Sequence, residues 1–99
     1  MIEILFIWPR GPYDRNMNHP VPLVYDTAEL GEHLRRARRA RGFQQGELAD
    51  RIGVTRMTIS RLERGESVSV DIALRALSEC GTALALVPKF SRVMVIDGT

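Results

Sequence analysis

Residues 44–65 read QQGELADRIGVTRMTISRLERG, and this stretch holds two short helix patterns hinged at one glycine. Leu48, Ala49 and Ile52 fall at helical spacing in the first, Ile59 and Leu62 in the second. Three positions set the geometry. Ala49 is small where two helices must cross closely, Gly53 takes the positive φ of a tight turn, and the branched Ile59 locks the second helix down. Val54 joins Leu48, Ile52 and Leu62 to complete the buried face, while the exposed positions of the second helix carry arginines.

Working outward, Asp26 with Glu29 three residues later is an N-capping pair, and Tyr25 with Leu30 has the spacing of a hydrophobic staple, so a helix should begin at Thr27. It should stop at Gly42. Leu30, Leu34, Ala37 and Arg41 fall on one stripe of it, leaving Arg35, Arg36 and Arg39 mostly outward. The second helix should run from about Gln45 to Ile52 and the third from an N-cap at Thr55 to about Arg64, with Gly65 ending it. Ser69 can cap a fourth helix whose buried stripe is Val70, Ala73, Leu74 and Leu77, stopped by Gly81.

The flanks read differently. Residues 2–8, IEILFIW, are β-branched and aromatic with no helix-start signal, which predicts a strand. Pro9, Pro12, Pro20 and Pro22 with Gly11 make residues 9–22 a linker. Met17 lies within it, and translation from there gives a chain beginning MNHPVPLVYDT, so the first sixteen residues need not belong to every functional form. After Gly81, TALALVP has a period of two, with Leu84 and Leu86 alternating against Ala83, Ala85 and Val87, and VMVI at 93–96 suits a further short strand. A strand in a mainly helical domain has unpaired edges and must find a partner locally or in a second copy.

Length and charge bound the function. A chain of 99 residues with 44% apolar content is one small domain with a core that association would help, so a dimer is expected. Net charge is +2, yet residues 27–65 hold nine arginines against five acids, while each flank sums to −1. A basic centre between mildly acidic ends points to a polyanion met by one face. The single Cys80 cannot form an internal disulfide, which fits a reducing cytoplasm. Met1 to Trp8 lacks a basic leader region and is too short to span a bilayer, so neither export nor a membrane segment is expected.

From Leu30 to about Gly81 the chain resembles the XRE family of helix-turn-helix regulators, related to the lambdoid phage repressors. The residues that carry the resemblance are LRRARRARG at 34–42, Gln45, ELA at 47–49, GVT at 53–55, TIS at 58–60 and LERG at 62–65. It implies a mainly α fold, a four-helix helix-turn-helix domain at 27–81, to which the flanks read above add an N-terminal strand and Pro-rich linker at 1–26 and a C-terminal strand and dimerisation tail at 82–99. It also implies that Arg38 pairs with Glu63 to tie the first helix to the end of the third. Gln44 departs from the family, which usually has Ser or Thr as the cap there. The turn to a strand after the fourth helix is similar to the HipB-type antitoxins, dimers whose C-terminal strands pair across the two-fold axis. That likeness implies a dimerisation role for Leu84 and Leu86 and a HipA-type kinase toxin as partner.

In such a domain the third helix enters a DNA groove, and with Thr55 as cap Arg56, Met57 and Arg61 project from its exposed side. The planar guanidinium matches the O6 and N7 acceptors of guanine, and Met57 suits a thymine methyl. Solvated surface or phosphate contact is the alternative for the two arginines, partial core packing for Met57. The resemblance makes Gln45 a link from a phosphate to the recognition helix, with simple exposure as the alternative. N–H groups at the helix starts near Gln44 and Thr55 add a phosphate clamp, and Thr58, Ser60 and Arg64 are candidates for flanking phosphates. Arg36, Arg39 and Arg41 either contact phosphate or are solvated and paired with acids such as Glu29 and Glu32. His19 and His33 lack a third ligand or a neighbouring thiol, and no glycine-rich phosphate loop or nucleophile elbow occurs, so neither a metal site nor an enzyme is expected.

The expected function is that of a dimeric, cytoplasmic, sequence-specific DNA-binding repressor, the autoregulating antitoxin of a pair with a HipA-like kinase toxin. The alternatives are a stand-alone XRE-type repressor and an enzyme-neutralising interaction module that binds DNA weakly.

Overall fold

The computed structural model describes residues 2–5 and 19–96. In chain order the elements are β1 (Ile2–Leu5), β2 (His19–Pro20), α1 (Thr27–Ala40), α2 (Gln45–Ile52), α3 (Arg56–Glu63), α4 (Val70–Glu79) and β3 (Val93–Ile96). The helices make one compact unit, Val24–Leu84, and the strands belong to a second. No helix among the described residues is long and apolar enough to cross a membrane.

α1, α3 and α4 each start on a side chain that accepts one of the helix's orphan N–H groups. Asp26 accepts the Glu29 N–H at 2.8 Å, and the Glu29 carboxylate accepts the Tyr25 N–H at 2.8 Å. Thr55 and Ser69 each accept the N–H three residues on, at 3.2 Å. At α2 the Glu47 carboxylate accepts the Gln44 N–H at 3.3 Å. Between α2 and α3 the chain reverses at Gly53, whose φ of 75° lies in the left-handed region where a side chain costs most. The Arg75 guanidinium of α4 donates to the Ile52 carbonyl beside this turn, satisfying an acceptor that α2 leaves open.

The core of the helical unit is Leu34, Leu48, Ala49, Ile52, Ile59, Leu62, Ala73, Ala76, Leu77 and Cys80, with Leu30, Ala37, Phe43, Val54, Val68 and Ile72 packed around it. Two stripes read from sequence are corrected. On α1 the buried row runs through Leu34 and Arg38, and Arg41, past the helix end, is exposed. On α4 the buried face is Ala73, Ala76, Leu77 and Cys80, so Val70 and Leu74 stand 72% and 44% exposed. The two candidate faces of this helix overlap. The alanine side lets α4 settle closely onto α2 and α1, an advantage that apolar counting does not register.

α1 approaches the end of α3 closely at Gly31. A Cβ there would lie 2.5 Å from the Leu62 carbonyl oxygen and 2.6 Å from that of Glu63. Only hydrogen fits between α1 and the last turn of α3. Both obstacles are backbone and cannot swing aside.

In the strand unit β3 is central. It pairs in parallel with β1, Ile2 opposite Val93 through Leu5 opposite Ile96, and antiparallel with β2, His19 opposite Val95 and Pro20 opposite Met94. The Val21 N–H extends the second ladder to the Val93 carbonyl at 2.8 Å. Residues 19 and 20, read from sequence as linker, are therefore strand. The strand expected around Leu84 and Leu86 is not formed: residues 82–88 are neither helix nor strand, and both leucines are exposed. A strand needs a neighbour for its N–H and C=O groups, and within this chain the neighbours pair with 93–96 instead. The rest of the predicted N-terminal strand, residues 6–8, and the linker around Met17 lie outside the described residues.

Gly31→Ala should lower the unfolding free energy by about 1–3 kcal/mol, because overpacking against backbone outweighs the better helix propensity of alanine. Chemical unfolding of both proteins measures it, and equal midpoints would refute the close approach. A second expectation concerns Cys80, whose thiol burial pushes up to about 11. Alkylation of the native protein at neutral pH should be slow and should accelerate on unfolding in denaturant, since the thiolate is the reactive form.

Candidate nucleic-acid interface

The interface is organised by a buried charge. Arg38 of α1 is 7% exposed, and its Nε and Nη2 donate to the two carboxylate oxygens of Glu63 at 2.6 and 3.0 Å. The fork-on-fork geometry is the strongest form of this pairing. Its Nη1 donates to the Phe43 carbonyl at 2.7 Å, in the link between α1 and α2. Gln45 of α2 donates to the same Glu63 carboxylate at 3.0 Å. One carboxylate at the end of α3 thus holds a side chain from each of the two preceding helices.

Around this knot lies a concave groove of about 560 Å³, bounded by the end of α1, the start of α2 and the outer side of α3. Arg35, Arg39, Arg56 and Arg64 line it together with Gln44, Gln45 and Ser60. The first residues of α2 have N–H groups without intrahelical acceptors, so four guanidinium groups and a helix start share one concavity. Such a surface attracts a polyanion.

The arginines differ in what holds them. Arg56, the first residue of α3, is exposed, passes beside Gly46 of α2 and makes no ion pair or hydrogen bond among the described residues. Arg61 lies 3.4 Å from Glu66 and also donates to the Ser67 carbonyl at 3.4 Å. Arg64 lies 2.7 Å from the other oxygen of Glu66 and donates to the Ser60 hydroxyl. Arg35 and Arg36 lie 3.8 and 3.6 Å from Glu32, whereas Glu29 is occupied with the helix cap. Arg51 stacks on Phe43, 4.4 Å from the ring centre, and pairs with Glu79 at 3.3 Å.

The remaining candidates fall as follows. Met57 is 61% exposed beside Arg56, and Thr55 and Thr58 share a hydroxyl contact of 3.0 Å at the start of α3. Ile59 and Ala49 lie in the core, where α2 meets α3. Sequence reading missed Glu66, Phe43 and the tie between Gln45 and Glu63. Glu66 follows the LERG motif directly, and an acid within reach of two arginines was a usable signal. For Gln45 the resemblance gave a link to the recognition helix, and the structure supplies Glu63 as its partner there.

A short helix hinged at Gly53 to a second helix whose outer face is basic defines the helix-turn-helix class. Residues 34–87 match the helix-turn-helix family HTH_3, and the chain belongs to that family. It is 46% identical over 46 residues to an HTH-type transcriptional regulatory protein of Pyrococcus furiosus, covering 46% of this chain and 15% of the relative. It is 36% identical over 86 residues to one of Thermococcus kodakarensis, covering 78% and 26%. The chain therefore spans about a quarter or less of the length of these curated relatives. In fold it is similar to the HipB–O4 20mer complex, with a TM-score of 0.64 over 70% of this chain and 99% of that one at 23% identity. The HipA–HipB–O2–O3 complex gives a TM-score of 0.65 at the same identity and coverage.

Glu63→Ala should destabilise the protein by about 3–5 kcal/mol, because it leaves the buried Arg38 charge uncompensated. Replacing Arg38 and Glu63 together by Met and Leu should recover most of that loss. Thermal or urea unfolding of the wild type and both variants checks it, and a double variant no more stable than Glu63→Ala would refute the pairing.

Proposed function

We propose that this chain binds DNA as a dimer and represses transcription in the cytoplasm, each copy placing α3 in a major groove at half-sites about one helical turn apart. The observation that carries this reading is Arg56: exposed and unengaged among the described residues, at the first turn of α3, in a groove lined by three further exposed arginines. Arg56 and Met57 face base edges, while Arg61, paired with Glu66, takes its alternative role of phosphate contact. Arg64, Ser60, Thr58 and the starts of α2 and α3 near Gln44 and Thr55 hold the phosphates. Gln45, positioned by Glu63, bridges the two sets. The exposed Val70, Leu74, Leu84 and Leu86 offer apolar surface for a second copy.

Within this reading we place the chain as an autoregulating antitoxin with a HipA-like kinase as its partner. Support comes from the likeness in fold to HipB, which extends over nearly the whole of that chain and includes a structure with HipA. The absence of copurification with the kinase encoded nearest to it would leave a stand-alone repressor.

Selection from a random-sequence duplex library tests the DNA reading. The wild type should enrich a two-fold site, and Arg56→Ala should relax preference at one base pair per half-site while weakening binding by about 1–3 kcal/mol per contact. An unchanged selected site and affinity would remove Arg56 from base reading.

A further inference from the structure

Glu66 stands at the foot of the recognition helix, in the turn after α3, with its N–H bonded to the Arg61 carbonyl at 3.0 Å. Its carboxylate is shared: one oxygen lies 3.4 Å from Nε of Arg61 and the other 2.7 Å from Nε of Arg64. All three side chains remain about half exposed, so the pairing sits on the solvent side of the helix. The two guanidinium groups, Arg64 foremost by its hydrogen bond, hold the Glu66 carboxyl below its ordinary range and keep it charged. Ser60 completes the arrangement by accepting from Arg64.

We infer that Glu66 is a built-in stand-in for a DNA phosphate, occupying on Arg61 and Arg64 the anion position that a backbone phosphate takes, so that binding requires its displacement. This rests on the DNA reading proposed above. A carboxylate and a phosphate present the same paired oxygens to a guanidinium fork, so the exchange replaces one set of charge-assisted hydrogen bonds by another. An exposed pair is worth little to stability, and its place on the surface keeps the exchange easy.

The consequence falls on overall affinity. Phosphate neutralisation supplies nearly all of the affinity for DNA of arbitrary sequence. A carboxylate that competes for two of the arginines of α3 lowers that term for every sequence. Arg56, which Glu66 does not touch, keeps its full contribution at a correct base pair. The same loss falls on a specific site, so Glu66 sets the overall affinity and its salt dependence, while Arg56 supplies the discrimination.

The test uses the full chain, a fluorescently labelled duplex of random sequence and a salt titration of binding. Glu66→Gln should bind this probe about tenfold more tightly at low salt, with the slope of log affinity against log salt steeper by about one to two per chain. Its thermal midpoint should stay at the wild-type value. Adding Arg61→Ala and Arg64→Ala should abolish the gain, which a general change in net charge would not do. Unchanged or weaker binding by a folded Glu66→Gln, with the wild-type slope, overturns the inference and leaves the DNA reading standing. Salt-independent or absent binding by both proteins overturns the DNA reading as well.

Discussion

The arrangement of the helical unit depends on one buried carboxylate. Glu63 closes α3 and receives Arg38 from α1 and Gln45 from α2, while Arg38 also holds the Phe43 carbonyl in the link between them. Burying two charges is costly, and a pair of this kind gives little net stability over apolar side chains of the same size. What it supplies is register. A slide of α3 by one residue would break both guanidinium bonds and strand a charge in the core, so competing packings of these short helices are penalised far more than apolar contacts alone could manage.

Close packing acts in the same direction. Gly31 lets α1 meet the carbonyls of the last turn of α3, and the alanines of α4 let it lie against α2 and α1. Helices of eight residues have little stability of their own and rely on tertiary contact. Because α2 and α3 are both of that length, the hinge at Gly53, the cap from Arg75 and the ion pair at Glu63 together hold the pair in one geometry. The basic groove follows from that geometry, since its arginines come from α1 and α3 and only the packing brings them together.

The arginines of the helical unit differ in what occupies them. Arg56 is unengaged among the described residues, Arg61 and Arg64 share Glu66, and Arg51 is taken up by Phe43 and Glu79. Equal formal charges thus have unequal availability to a ligand. A count of basic residues in 27–65 treats them alike, and the difference lies in acids placed within reach by the fold.

The sequence by itself determined the four helices and their ends, because capping and turn chemistry are local: Asp26, Thr55 and Ser69 each sit within three residues of the N–H they accept. Periodicity identified most of the core for the same reason. The buried side of α4 was not legible, since Val70 and Leu74 are as apolar as the residues that won, and only the closeness of α2 and α1 decides for the alanines. Nor was the sheet partner legible. Two C-terminal stretches read as strands, and the structure pairs 93–96 rather than 82–88 with β1 and β2, which come from residues more than seventy positions away in the chain. The availability of each arginine was likewise left to tertiary structure, which alone sets the distance between a charge and the acid that occupies it.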